Sequence, residues 1–168
     1  DYQSTAIPDL QFAHKDAEAF ARWLQSPAGG NIPEEQITLL TNEAATNGKI
    51  GAALDGLVET CAENDQAIIY FSGHGDVESK TAGQLGFLLA WDTPARSYKA
   101  GAYSLLYLQD VITTLSTINK AKVLVIADAC HSGKLAGSGI DGAKVTAANL
   151  SRQYASELKV LSCQPTEF

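Results

Sequence analysis

Apolar and polar positions along the chain follow two rhythms, one typical of helices and one of buried strands. Between Phe12 and Leu24, the residues Ala13, Ala17, Phe20 and Leu24 return to one face at helical spacing, which predicts an amphipathic helix. Asn31-Ile32-Pro33 breaks that pattern, and Gln36–Leu40 then reads as a short strand. Thr46 or Asn47 can cap a second helix, in which Ile50, Ala53, Leu54, Leu57, Val58 and Cys61 keep the spacing of a single apolar stripe. Ala67-Ile68-Ile69-Tyr70-Phe71 is a continuous apolar run, the pattern of a strand covered on both faces. Leu85–Leu89 predicts another strand, and Ser104 caps a third helix carrying Leu108, Val111, Ile112 and Leu115. Lys122–Ala127 and Lys159–Ser162 predict two further buried strands.

Strands that alternate with helices imply an α/β fold with a mostly parallel central sheet and helices on both faces, a three-layer sandwich. Right-handed crossovers restrict its topology. Ligands of such sheets bind beyond the carboxyl ends of the strands, here the turns expected after Phe71 and after Ala127. Residues 76–84 and 92–102 are polar or glycine-rich. Residues 133–150, with four glycines and two lysines, predict a long loop open to cleavage.

At 168 residues the chain has the length of one domain, and 45% hydrophobic with 18% charged residues is a globular composition. The net charge of -7, with no basic run, argues against nucleic acid and anionic membranes as partners. No apolar run approaches the roughly 18 residues of a membrane helix. The cysteines, Cys61, Cys130 and Cys163, are too few and odd in number for a disulfide scaffold. Reduced thiols and a cytoplasmic setting are the simpler expectation.

Two strand ends carry the candidate chemistry. One reads Tyr70-Phe71-Ser72-Gly73-His74-Gly75-Asp76, the other Ile126-Ala127-Asp128-Ala129-Cys130-His131-Ser132-Gly133. If both strands run the same way, a histidine and a cysteine face each other at one edge of the sheet. An ordinary thiol, with a pKa near 8.5, is only a few per cent thiolate at neutral pH. A neighbouring imidazole can take its proton and later protonate a leaving amine. The flanking glycines admit a substrate backbone, and the N–H groups of Gly75 and Cys130 are candidate donors to an oxyanion. A zinc site is disfavoured, because His74, Cys130 and His131 lack a paired Cys-x-x-Cys or His-x-x-x-His element. Gly73-His74-Gly75 likewise lacks the further glycines and the lysine of a nucleotide loop. Cys61 fits core packing, His131 points away from its neighbour's role, and His14, Cys163, Trp23 and Trp91 suggest structural positions.

Tyr-Phe-Ser-Gly-His-Gly followed by Asp-Ala-Cys-His-Ser-Gly resembles the caspase-like cysteine proteases, metacaspases and orthocaspases more than animal caspases. His74 precedes Cys130 by 56 positions, close to the interval of about 50 in a caspase signature. The helix ending at Leu24 and the segment Leu39-Leu40-Thr41-Asn42 also look like the large-subunit region, so the resemblance spans nearly the whole chain, 1–168. It implies a caspase-like fold, His74 as general base and acid, and Cys130 as nucleophile. It implies that Asp128 lines a pocket favouring Arg or Lys before the scissile bond, although Asp128 as a turn-capping carboxylate is the alternative.

The family has an apolar strand before the region matched by Asp1-Tyr2 and further elements after that matched by Phe168. A second polypeptide or fragment is therefore expected to complete the sheet. The resemblance also implies self-processing, for which Lys134, Lys144 and Arg152 are the basic positions. Some metacaspases bind calcium, but Asp76 and Glu78 make only two carboxylates after His74, so no cofactor or metal is expected. The expected partners are protein or peptide substrates with basic residues. A caspase-like scaffold acting as an interaction module, or a related protease with a longer recognition site, are the alternatives.

Overall fold

A computed structural model describes residues 1–78, 80 and 85–131, with Cys130 and His131 described as backbone only. Helix α1 spans Ala13–Gln25, with Phe12 at its N-cap, Asp16 in its first turn and Arg22 in its last. That charge order complements the helix dipole. Helix α2 spans Asn47–Thr60, and the Thr46 hydroxyl accepts the Lys49 N–H at 3.3 Å, so Thr46 is the cap. Helix α3, Leu105–Thr113, starts at Ser104, whose hydroxyl accepts the Leu106 N–H. It runs on into a π-helical turn, Thr114–Ile118.

The strands are β1 (Gln66–Val77), β2 (Gly86–Leu88), β3 (Tyr103–Ser104) and β4 (Lys122–His131), in the sheet order β3-β2-β1-β4. β1 and β4 form a parallel ladder from Gln66↔Lys122 to Gly75↔His131. β2 pairs antiparallel with both β1 and β3, so β1, β3 and β4 share one direction and β2 opposes them. The result is a mixed, largely parallel α/β sheet. Helices cover both faces. Phe20 of α1 stacks on Tyr70, with ring centroids 4.6 Å apart. On the opposite face Leu54 of α2 and Leu105, Leu108 and Ile112 of α3 form one core with Val125, against which Ile69 and Phe71 pack. Neighbouring parities along β1, Tyr70 against Ile69 and Phe71, thus separate the two layers.

The strand expected at Gln36–Leu40 is not formed. Glu34–Gln36 is a single 3-10 turn, and residues 37–41 are extended at Ile37 (φ -114, ψ 113) but join no ladder among the described residues. A strand exists only through its partner, and here a cavity of about 360 Å³ stands between this segment, α1 and β1. A second correction concerns β1 and β4 themselves. Both continue past the apolar runs, through Ser72–Val77 and Asp128–His131, so these residues extend the ladder where turns are expected. The 133–150 loop and the strand at Lys159–Ser162 lie outside the described residues. No described helix is long and apolar enough to cross a membrane.

Candidate functional site

The parallel ladder places His74 in register with Cys130 and Ser72 in register with Asp128. Adjacent strands lie about 4.8 Å apart, and paired positions in a parallel ladder share a face. Ser72 and His74 on β1 and Asp128 and Cys130 on β4 therefore occupy one face, the face that α1 covers farther back at Tyr70. Gly75 is in register with His131 on one side and Leu88 on the other. It lies inside the sheet, at the last pair of the β1/β4 ladder, and not in an open turn.

His74 is only 4% exposed. Its ring Nε2 lies 2.8 Å from the carbonyl oxygen of Pro8. A carbonyl can only accept, so Nε2 carries the proton and Nδ1 of the neutral ring is the acceptor. Nδ1 is buried and has no hydrogen-bond partner among the described residues. A buried acceptor without a partner costs about 1–3 kcal/mol, and it is also the state required of a base that takes a proton. The backbone N–H of His74 donates to the Tyr2 hydroxyl at 2.9 Å, and the Tyr2 ring stacks on the imidazole at 5.2 Å. Neither the Pro8 carbonyl nor Tyr2 carries a sequence signal for this role. One is a backbone group and the other an isolated aromatic far from the motif.

Farther along β1, Asp76 and Glu78 are buried. Asp76 accepts the Tyr98 O–H at 2.7 Å and the Val77 N–H at 2.7 Å. Burial pushes the Tyr98 phenol well above its ordinary value, helped by the hydrogen bond to Asp76 and by the charges of Asp76 and Glu78. The acidic pair is thus partly committed to a tyrosine. Among the described residues no group of three or more His, Cys, Asp or Glu side chains is placed to hold a metal ion.

Asp128 is half-buried and forms no ion pair among the described residues, where the ion pairs are Arg22–Glu18 and Lys120–Glu63. A half-buried carboxylate at this end of the sheet is a ready partner for a cation. Of the other cysteines, Cys61 ends the α2 stripe at the C-cap. Burial first, and the Asp65 charge second, push its thiol upward. Cys163 lies outside the described residues. No curated protein matches the chain. Residues 1–167 match the caspase domain of the C14 peptidases, and the chain therefore belongs to the caspase domain family of cysteine-type peptidases.

Proposed function

We propose that the chain is a cysteine endopeptidase that works through a His74–Cys130 dyad and cleaves after Arg or Lys. The observation that carries this reading is the direct register of His74 with Cys130 across the β1/β4 ladder. Nδ1, left without a partner among the described residues while Nε2–H is bonded to Pro8, supports it.

In the proposed reaction His74 Nδ1 takes the thiol proton and Cys130 Sγ attacks the scissile carbonyl carbon. The oxyanion is held by backbone N–H groups at the strand ends, with Gly75 and Cys130 as the donors. Imidazolium returns the proton to the leaving nitrogen as the C–N bond breaks and an acyl-enzyme remains. Water, deprotonated by the same imidazole, attacks the thioester, releases the acid and regenerates the thiol. No metal or cofactor enters these steps. Asp128 would bind the basic side chain preceding the scissile bond, since it shares a face with the dyad and has no cationic partner among the described residues.

Two further features belong to this proposal. A second polypeptide or extended segment completes the sheet. β1 has β4 beside it from Gln66 to Gly75 but β2 only from Gly75 onward, and the apolar cavity lies along the open stretch. Self-processing occurs at Lys134, Lys144 or Arg152, all outside the described residues. The deciding experiment is hydrolysis of Arg- and Lys-containing peptides by the unaltered chain and by Cys130→Ala. Loss of turnover with the thiol supports the dyad, and retained turnover refutes it. Intact mass after incubation reads self-processing. Fragments ending at one of the three basic positions are expected, and their absence in an active preparation removes that part.

A further inference from the structure

Residues 2–9 close around His74 as a collar. The Tyr2 ring stacks on the imidazole with an interplanar angle of 29°, and its hydroxyl accepts the His74 backbone N–H at 2.9 Å. At the other end of the collar the Pro8 carbonyl accepts the ring Nε2–H at 2.8 Å. The next residue, Asp9, closes the ring by accepting the Tyr2 N–H through Oδ1 at 2.7 Å. Between them the Ile7 N–H donates to the Ser4 carbonyl, and Ile7 itself, 2% exposed, is seated against Phe87, Leu89 and Ala102. The Gln3 N–H is tied to the Trp91 carbonyl. The collar is therefore anchored in the core on one side and holds the histidine on the other.

We propose that Tyr2 is a positioning residue for His74, with Asp9 as the clasp that keeps it in place. The inference rests on the His74–Cys130 reading and adds to it the means by which the ring is held. An imidazole on a single Cα–Cβ hinge has two torsions to lose. The Pro8 bond fixes one atom of the ring, and one fixed atom still allows the plane to rock. Tyr2 removes that freedom by covering the ring face, while its hydroxyl fixes the backbone from which the ring projects. A ring held in one plane keeps Nδ1 where the dyad reading needs it, so the proton has a fixed acceptor position. Other titratable residues at this end are Asp9 on the collar, Asp76 and Glu78 on β1, Tyr98 ahead of β3, and Asp128 on β4. Replacing Tyr2 removes none of these groups.

The test reads Cys130 without a substrate. The rate of carboxamidomethylation of Cys130 by iodoacetamide is followed from pH 5 to 9.5 by mass spectrometry, with Cys61 as an internal control. The unaltered chain, His74→Ala, Tyr2→Phe and Tyr2→Leu are compared. His74→Ala tests the dyad itself. If its profile matches the unaltered chain, the dyad reading fails and the positioning role fails with it. If His74→Ala moves the profile to that of an ordinary thiol, Tyr2→Leu is expected to move it at least halfway in the same direction. Tyr2→Phe, which keeps the stacked ring, is expected to move it less. Under peptide hydrolysis the same variants are expected to lose kcat with KM little changed. A Tyr2→Leu profile coincident with the unaltered one, beside a shifted His74→Ala profile, overturns the positioning role and leaves the dyad intact. Should Tyr2→Leu not fold, Tyr2→Phe and Asp9→Ala, which removes the acceptor of the Tyr2 N–H, decide. A shift and a kcat loss in either support the role, and unaltered profiles in both overturn it.

Discussion

The ring of His74 donates its Nε2–H to the carbonyl oxygen of Pro8, 2.8 Å away and 66 positions earlier in the chain. This one bond sets the tautomer of the ring. The neutral ring should therefore carry its proton on Nε2, and histidine nitrogen NMR of Cys130→Ala should report that tautomer. A ring protonated on Nδ1 would contradict the orientation. Replacing His74 by Ala is expected to lower kcat/KM by about 10²- to 10⁴-fold, the usual range for a positioned acid–base group.

In the proposed function Asp128 sets specificity. A charge-assisted hydrogen bond is worth about 1.5–3 kcal/mol, which converts to roughly 10- to 100-fold in kcat/KM. Asp128→Ala should cost that much on Arg and Lys peptides and far less on neutral ones. Equal losses on both would assign Asp128 to structure instead of recognition.

Tyr98 links stability to alkaline pH. Its folded-state pKa is raised above the ordinary 10.0, mainly by burial and then by the bond to Asp76. The sign follows directly. The stabilisation is complete below pH 10 and is lost as pH rises through the folded value, because ionisation is easier in the unfolded chain. Burial raises Tyr103 in the same direction, with Asp55 and Asp110 adding to it. Tyr98→Phe should lower Tm at pH 7, since a hydrogen bond worth about 0.5–1.5 kcal/mol is lost and a buried carboxylate keeps one partner fewer. It should also flatten the fall of Tm above pH 10. Curves that stay parallel from pH 7 to 11 would count against the linkage.

Gly73 sits where an added side chain would press on the ends of two others. A Cβ there would lie 2.8 Å from Phe71 Cζ and 3.2 Å from the Tyr2 hydroxyl. Gly73→Ala should destabilise the fold by about 1–3 kcal/mol, the usual cost of overpacking, and should push Tyr2 off the His74 N–H. A lowered urea midpoint together with reduced activity is expected. Wild-type values for both would show that the edge of β1 yields freely.

The parts of the fold that rest on continuous apolar periodicity were legible in the sequence. The stripe from Ala13 to Leu24, the caps Thr46 and Ser104, and the runs Ala67–Phe71 and Lys122–Ala127 all became the expected elements. What the periodicity missed depends on partners. Gln36–Leu40 has strand composition but no ladder, and β3 is two residues long and exists only because Tyr103 and Ser104 pair with β2. Glycines and polar residues at 72–77 looked like a turn. They remain in β1 because β4 on one side, and β2 at its far end, hold them. At the site, His74 and Cys130 announced themselves by side-chain chemistry. Pro8 and Tyr2 did not, since a backbone carbonyl is invisible in sequence and a stacked ring is defined by its neighbour.

Completion of the sheet can be read from mass and dye binding together. The apolar cavity beside β1 should bind an environment-sensitive dye in the chain by itself, at 17.8 kDa. The active species should be heavier by light scattering and bind less dye. An active species at the mass of this chain alone would remove the second polypeptide from the account.

The dyad itself is tested most directly by an irreversible probe, a peptidyl chloromethylketone with Arg next to the reactive group. One adduct on Cys130 is expected, none on Cys61, and the adduct should vanish in His74→Ala. Adducts distributed without regard to Cys130, or labelling of Cys130 that is indifferent to His74, would contradict the pairing of these two residues.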